Sequence, residues 1–225
     1  MKKTATAVIA AVISVLVPSG LGPASLVPKA AAAPETHCTK PAIIGASSAD
    51  YGMGARVEIL RSLKGRGIPY FLSTSAGRTV YRPGHGTDRR HGSGLHTVDV
   101  AKQAGATCFV IEFGATEAAR ANGDRARLAR AIDAMMTRIG PDYRVDWITP
   151  KTRVYSGPFS DRNMNAFRLE FSRATRRYEN LDVNHWERIP ETTLLWWRPD
   201  FVHLQEGSKV RGPYIVDSAF INRSR

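Results

Sequence analysis

Short apolar runs alternating with helix-spaced segments constrain this chain more than any other feature. The runs fall at Pro41–Gly45, 69–73, 108–113, 143–148 and 181–186. Between several of them lie helical patterns. Segment 51–63 carries Val57, Leu60 and Leu63 at helical spacing and is stopped by Gly65 and Gly67. Arg125–Ile139 sets Leu128, Ile132, Met135, Met136 and Ile139 on one face and arginines on the other. Segment 161–178, with Asp161 as its expected cap, supplies another helix, and 208–222 a closing one broken in pattern by Gly212 and Pro213. Strands joined by helices pair in parallel, because a parallel crossover needs a dozen or more residues and a helix fills that length. The expectation is an α/β fold, a three-layer α/β/α sandwich around a central, mostly parallel five-stranded sheet. The near-continuous apolar run at 108–113 suits a central strand buried on both faces.

The first residues do not fit that scheme. Lys2 and Lys3 precede an apolar stretch from Ala5 to Val17, and a small-residue stretch ends in Ala31-Ala32-Ala33 before Pro34. This is the charged, apolar and A-x-A order of a secretory leader. The expectation is a signal peptide over 1–33, cleaved near Ala33, and one domain over 34–225 in a secreted protein. An uncleaved N-terminal anchor is the competing reading. No other stretch reaches the length needed to span a bilayer.

Two cysteines, Cys38 and Cys108, are the whole thiol inventory. In a secreted chain a single disulfide is the economical reading. Each precedes an apolar run, so parallel neighbouring strands would bring their starts within bridging distance.

The chain is basic, with a formal net charge of +12, and stays so without the three lysines of the leader. Arginine is scattered over helix faces rather than gathered in one tract. That distribution suits electrostatic contact with an anionic cell envelope and, lacking a recognition motif, argues against a specific nucleic-acid role.

In an open parallel sheet, ligands bind beyond the carboxyl ends of the strands. Gly45-Ala46-Ser47-Ser48 follows the first run, Ser75-Ala76-Gly77 the second and Gly114-Ala115-Thr116-Glu117 the third, while Asp200 and His203 follow the last. All four groups therefore fall on one edge. Segment 78–94, rich in Gly, Pro, His and Arg, reads as a long basic loop beside them, expected to be mobile. Its His85, Asp88 and His91, with His96 beyond, invite a metal reading, but their spacing matches no ligand motif, and neither metal nor cofactor is expected.

On these blocks the chain resembles the SGNH, or GDSL-type, hydrolase superfamily. Gly45-Ala46-Ser47 stands where that family has Gly-Asp-Ser, and Gly77 at its second-block glycine. Gly114-Ala115-Thr116-Glu117 stands at Gly-x-Asn-Asp, and Asp200-Phe201-Val202-His203-Leu204 at Asp-x-x-His-Leu. The resemblance implies a flavodoxin-like sandwich with Ser47 as nucleophile, His203 as base and Asp200 orienting it. The oxyanion donors would come from Ser47, Gly77 and position 116. Thr116 replaces the family's asparagine, and Ala46 its aspartate. Ser48 is the alternative hydroxyl.

The implied protein is a secreted, monomeric serine esterase or acylhydrolase acting on an ester-bearing lipid or acylated carbohydrate through an acyl-enzyme. Two alternatives stand beside it: a catalytically impaired module that binds envelope carbohydrate or another partner, and an acyltransferase using the same triad. Trp186, Trp196 and Trp197 serve either as walls of the acyl or sugar site or as core.

Overall fold

The computed structural model describes residues 38–221 apart from 51, 53, 192 and 193, so the leader pattern at 1–33 lies outside the described residues. Five strands form one sheet: β1 (Pro41–Gly45), β2 (Phe71–Thr74), β3 (Cys108–Glu112), β4 (Arg144–Ile148) and β5 (Leu181–Asn184). Their spatial order is β2-β1-β3-β4-β5, and every pairing is parallel. The expected "mostly parallel" sheet is thus wholly parallel. Alternation sends Ala42, Ile44, Phe109, Ile111, Val145 and Trp147 into one core, and Ile43 and Val110 into the other. Helices α2 (Gly94–Gln103), α3 (Ala115–Ala121), α4 (Arg125–Ile139) and α5 (Asp161–Ala174) cover the first face. Helices α1 (Arg56–Arg66) and α6 (Ser208–Ser218) cover the second. The three-layer sandwich follows, and the described residues cluster as one compact unit. Among the described residues no helix is long and apolar enough to cross a membrane.

Strand neighbours explain the disulfide. Pro41 pairs with Cys108 across β1 and β3, which brings Cys38 within a Cα–Cα distance of 5.4 Å of Cys108, and the two are bonded.

Several boundaries differ from the periodic reading, each for a local reason. The first helix starts at Arg56 rather than 51, because Ser47–Ala49 is a separate 3-10 turn. Asp161 is a first-turn residue, and Ser160 is the N-cap. Trp186 belongs to a 3-10 turn after β5 rather than to the strand. Helix α2 was not expected; its signals are Ser93, whose hydroxyl caps the His96 N–H, and Leu95, Val98 and Ala101 at helical spacing.

The loop expected to be mobile is instead fastened around Arg78. This residue is fully buried and donates to the carbonyls of Ser73, Asp88 and Gly92 and to the Ser73 hydroxyl. Burial lowers its pKa to about 10, still leaving it charged at neutral pH. Asp88 and His91, considered above as metal ligands, serve the same scaffold. Asp88 pairs with Arg56 at 2.6 Å, and His91 Nδ1 lies 2.8 Å from the Ser73 hydroxyl.

On the opposite face, α6 approaches α1 so closely that a Cβ on Gly212 would lie 2.3 Å from the Glu58 Cβ. Gly212, which blurs the helical pattern in the sequence, is what permits that packing.

Candidate active site

The β1 exit places Ser47. Gly45 ends the strand, Ala46 N–H donates to the Glu112 carbonyl of β3, and the chain turns through Ser47–Ala49. The Asp200–His203 segment arrives from the far edge by a different route. Two 3-10 turns after β5, Trp186–Arg188 and Leu194–Trp196, lead into a tight loop in which Arg198 N–H donates to the His203 carbonyl. Phe201 takes a left-handed φ of 54° at its tip, an unusual conformation for a bulky residue. A bridge between Trp197 and Leu204 closes the base of the loop.

Within that loop Asp200 works twice. Its Oδ1 accepts the backbone N–H groups of Val202 and His203, each at 2.9 Å. Its Oδ2 lies 2.7 Å from His203 Nδ1. The other ring nitrogen, Nε2, lies 2.9 Å from Ser47 Oγ, across 156 residues of sequence. A carboxylate only accepts, so Nδ1 carries the ring proton and Nε2 is left to accept from the Ser47 hydroxyl. Burial pushes the Asp200 carboxyl up, but the hydrogen bonds from His203 and Val202 outweigh it and hold the group below its ordinary value. The carboxylate therefore stays ionised wherever the imidazole needs orienting.

Ser47 opens onto a small pocket. Gly114 and Ala115, at the exit of β3, form part of its wall, with Lys151, Trp186 and Trp197. Trp186 also packs on Trp196 at 6.3 Å and on Tyr214 at 5.2 Å, so Trp186 and Trp197 are both core and pocket wall, and Trp196 is core.

The polar part of the pocket was not foreseen from the sequence. Glu112, the last residue of β3, is 1% exposed and faces Arg211 of α6, 4% exposed. Arg211 Nε donates to Glu112 Oε1 at 3.0 Å, and Nη2 donates to the same oxygen. Ser48 Oγ donates to it as well, at 2.7 Å. Arg211 also lies 4.8 Å over the Trp186 ring. The one charged residue in the 108–113 run was the available signal for Glu112; nothing in the pattern of α6 marked Arg211.

The remaining predicted residues are placed as follows. Gly77, with φ 73°, follows β2, and a Cβ there would meet the His85 ring at 2.6 Å. Thr116 is half-buried in the first turn of α3, one residue beyond Ala115 and so about 100° further round the helix. Neither is among the residues lining the Ser47 cavity. No group of three or more His, Cys, Asp or Glu residues that could hold a metal occurs among the described residues.

Neither a family model nor a curated protein matches the chain. Solved structures do. A G-D-S-L family protein from Desulfitobacterium hafniense superposes with a TM-score of 0.58 at 15% identity, covering 80% of this chain and 99% of that one. The fold is that of the SGNH hydrolases. The C-terminal catalytic domain of peptidoglycan O-acetyltransferase A from Streptococcus pneumoniae gives a TM-score of 0.57 at 11% identity, over 80% of this chain and 90% of that domain. The esterase EstA from Pseudoalteromonas sp. gives 0.51 at 16% identity, over 80% and 93%. In this fold Ser47, His203 and Asp200 lie together beyond the exit of β1.

Proposed function

We propose that the chain is a secreted serine esterase or acylhydrolase that works through an acyl-enzyme on Ser47. The observation that carries the reading is the continuous relay from Ser47 Oγ through His203 to Asp200. Ser47 Oγ attacks the ester carbonyl carbon as its proton passes to His203 Nε2, and Asp200 stabilises the imidazolium that forms. The proton then goes to the departing alkoxide, the C–O bond breaks, and water hydrolyses the acyl-Ser47 ester with His203 again as base.

Oxyanion support is assigned to the backbone N–H of Ser47. Gly77 and Thr116, both off the pocket wall, leave the family's other two donors without an equivalent. One missing donor lowers turnover by about 10²–10³, so a slow enzyme is expected.

The pocket favours a short acyl group on an oxygen-rich alcohol. Charged groups lie beside two tryptophans in a small volume, a mixture that suits an acylated carbohydrate better than a long acyl chain. Secretion rests on the leader pattern at 1–33 and on the Cys38–Cys108 bond.

A fluorophosphonate probe tests the reading: covalent labelling at Ser47, absent in Ser47→Ala, is expected, and an unlabelled wild type would overturn it in favour of a binding module. The structural likeness to an O-acetyltransferase domain supports a second outcome, acyl transfer, recognised by an added sugar competing with water for the acyl group.

A further inference from the structure

A second depression opens between the loop at 79–82, α3 and α4. Arg82, Arg120 and Arg127 stand at its rim. None of the three has an acidic partner among the described residues, although other arginines of α4 do: Arg125 pairs with Glu170 and Arg138 with Asp99. Arg127 donates to the Arg120 carbonyl at 2.9 Å, which holds the two residues side by side. Glu117 is the one acid lining the depression, so once it is protonated the three arginines share it without a counter-charge, and an anion placed between them would supply one.

Glu117 forms the floor and is 7% exposed. Its Oε1 accepts the Val80 N–H at 2.6 Å, while its Oε2 has no hydrogen-bond partner. An unpartnered buried oxygen is costly unless a ligand completes it. Leu128 and Ala131 supply the apolar base, and Tyr81, whose hydroxyl donates to the Arg130 carbonyl at 3.0 Å, closes one side. A cation would be repelled by the rim, and a neutral sugar would leave the arginines unanswered. An oxyanion satisfies rim and floor together, provided the floor donates a proton to it.

We propose that this depression binds a singly charged oxyanion, a phosphodiester or a carboxylate, through the guanidinium groups of Arg82, Arg120 and Arg127 and the carboxyl O–H of Glu117. The site does not depend on the catalytic reading of Ser47. Yet α3 links the two, since Ala115 at its start lines the first cavity and Glu117 and Arg120 the second, an axial separation of about 3–8 Å.

Burial pushes Glu117 up to about 7, against the Val80 N–H and the charges of Arg120 and Arg127, which pull it down. The groups facing it are Arg120 from α3, Arg127 from α4, and Tyr81 and Arg82 from the loop. A bound anion favours the protonated carboxyl, so affinity rises as pH falls through 7.

The test is calorimetric titration of the full chain with diethyl phosphate and, separately, glucuronate, both ionised throughout the range from about pH 6 to pH 8. Saturable binding is expected, about tenfold tighter at pH 6 than at pH 8, and at least about tenfold weaker in Arg120→Gln and Arg127→Gln. Glu117→Gln, which keeps an N–H donor, should retain the acid-side affinity and lose the pH dependence. Binding of one probe alone supports the site and identifies its anion. No saturable binding of either probe, or affinity unchanged in both arginine variants, would overturn the proposal; pH dependence persisting in Glu117→Gln would remove Glu117 from it. Ser47→Ala should bind as the wild type does, which keeps this outcome separate from any failure of the esterase reading.

Discussion

Replacing Arg211 with methionine should be among the most destabilising single changes in the protein. Methionine keeps much of the length of the side chain over Trp186 but removes the charge. In the native structure Arg211 and Glu112 are 5% and 1% exposed at their side chains, and Arg211 directs Nε and Nη2 at one carboxylate oxygen. After the substitution only the Ser48 hydroxyl, at 2.7 Å, remains on that carboxylate. Breaking a buried pair by removing one partner costs about 3–5 kcal/mol, because the survivor stays in a low-dielectric site without its counter-charge. For a domain of this size each kcal/mol moves Tm by about 2–4 °C, so the variant should melt about 6–20 °C lower. Adding Glu112→Gln removes the stranded charge. The double variant Glu112→Gln/Arg211→Met should therefore be more stable than Arg211→Met alone, with a coupling of at least about 2 kcal/mol from urea midpoints. Additivity of the two substitutions within about 0.5 kcal/mol would refute the claim that the pair carries this energy.

Further expectations concern the orienting carboxylate, the disulfide and the second depression. Asp200→Asn should lower kcat on p-nitrophenyl acetate by about 10⁴-fold with little change in KM, since an amide can stabilise the wrong imidazole tautomer; a loss below tenfold would remove Asp200 from the mechanism. Cys38→Ser, which opens a bond spanning 70 residues, should lower stability by about 4 kcal/mol in chemical denaturation, and no change would show that the unfolded chain is not restrained by it. Glu117 is raised from 4.5 to about 7, so its neutral form stabilises the fold fully below the lower value and loses that contribution as pH rises through the upper one. Glu117→Gln should accordingly gain on the wild type by up to about 3 kcal/mol between about pH 5 and pH 8, and a stability difference flat over that window would contradict the shift.

The sheet was legible because its signal is local: short apolar runs with helices between them force parallel pairing and fix which strand ends share an edge. Helix α2 escaped notice because Gly92 and Gly94 and the nearby charged residues made 78–94 read as one loop. Arg78 shows why composition misleads there. An arginine in a Gly-rich stretch reads as solvated and mobile, yet here it is the buried hub to which the loop carbonyls and Ser73 are tied. Burial of a charge is decided by partners distant in sequence, and no window along the chain contains them. Arg211 and Glu112, 99 residues apart, were hidden for the same reason.

The choice between two adjacent serines illustrates the converse. Register favoured Ser47 over Ser48, but register alone gives no physical ground for the preference. The structure supplies one in the direction each hydroxyl takes. Ser48 Oγ donates its only proton to Glu112 Oε1, a charge-assisted bond beside a buried arginine. A hydroxyl so engaged has its proton directed away from any base, and giving it up would leave the Glu112 oxygen short of a donor. Ser47 Oγ instead meets His203 Nε2, where proton transfer creates an imidazolium that Asp200 is already placed to stabilise. The neighbouring residues thus divide the work: Ser48 completes the buried pair under the pocket, and Ser47 alone is free to react. Ser48→Ala should in consequence reduce stability while leaving fluorophosphonate labelling at Ser47 intact, whereas labelling that moved to Ser48 in the Ser47→Ala protein would show that the division is not enforced by Glu112.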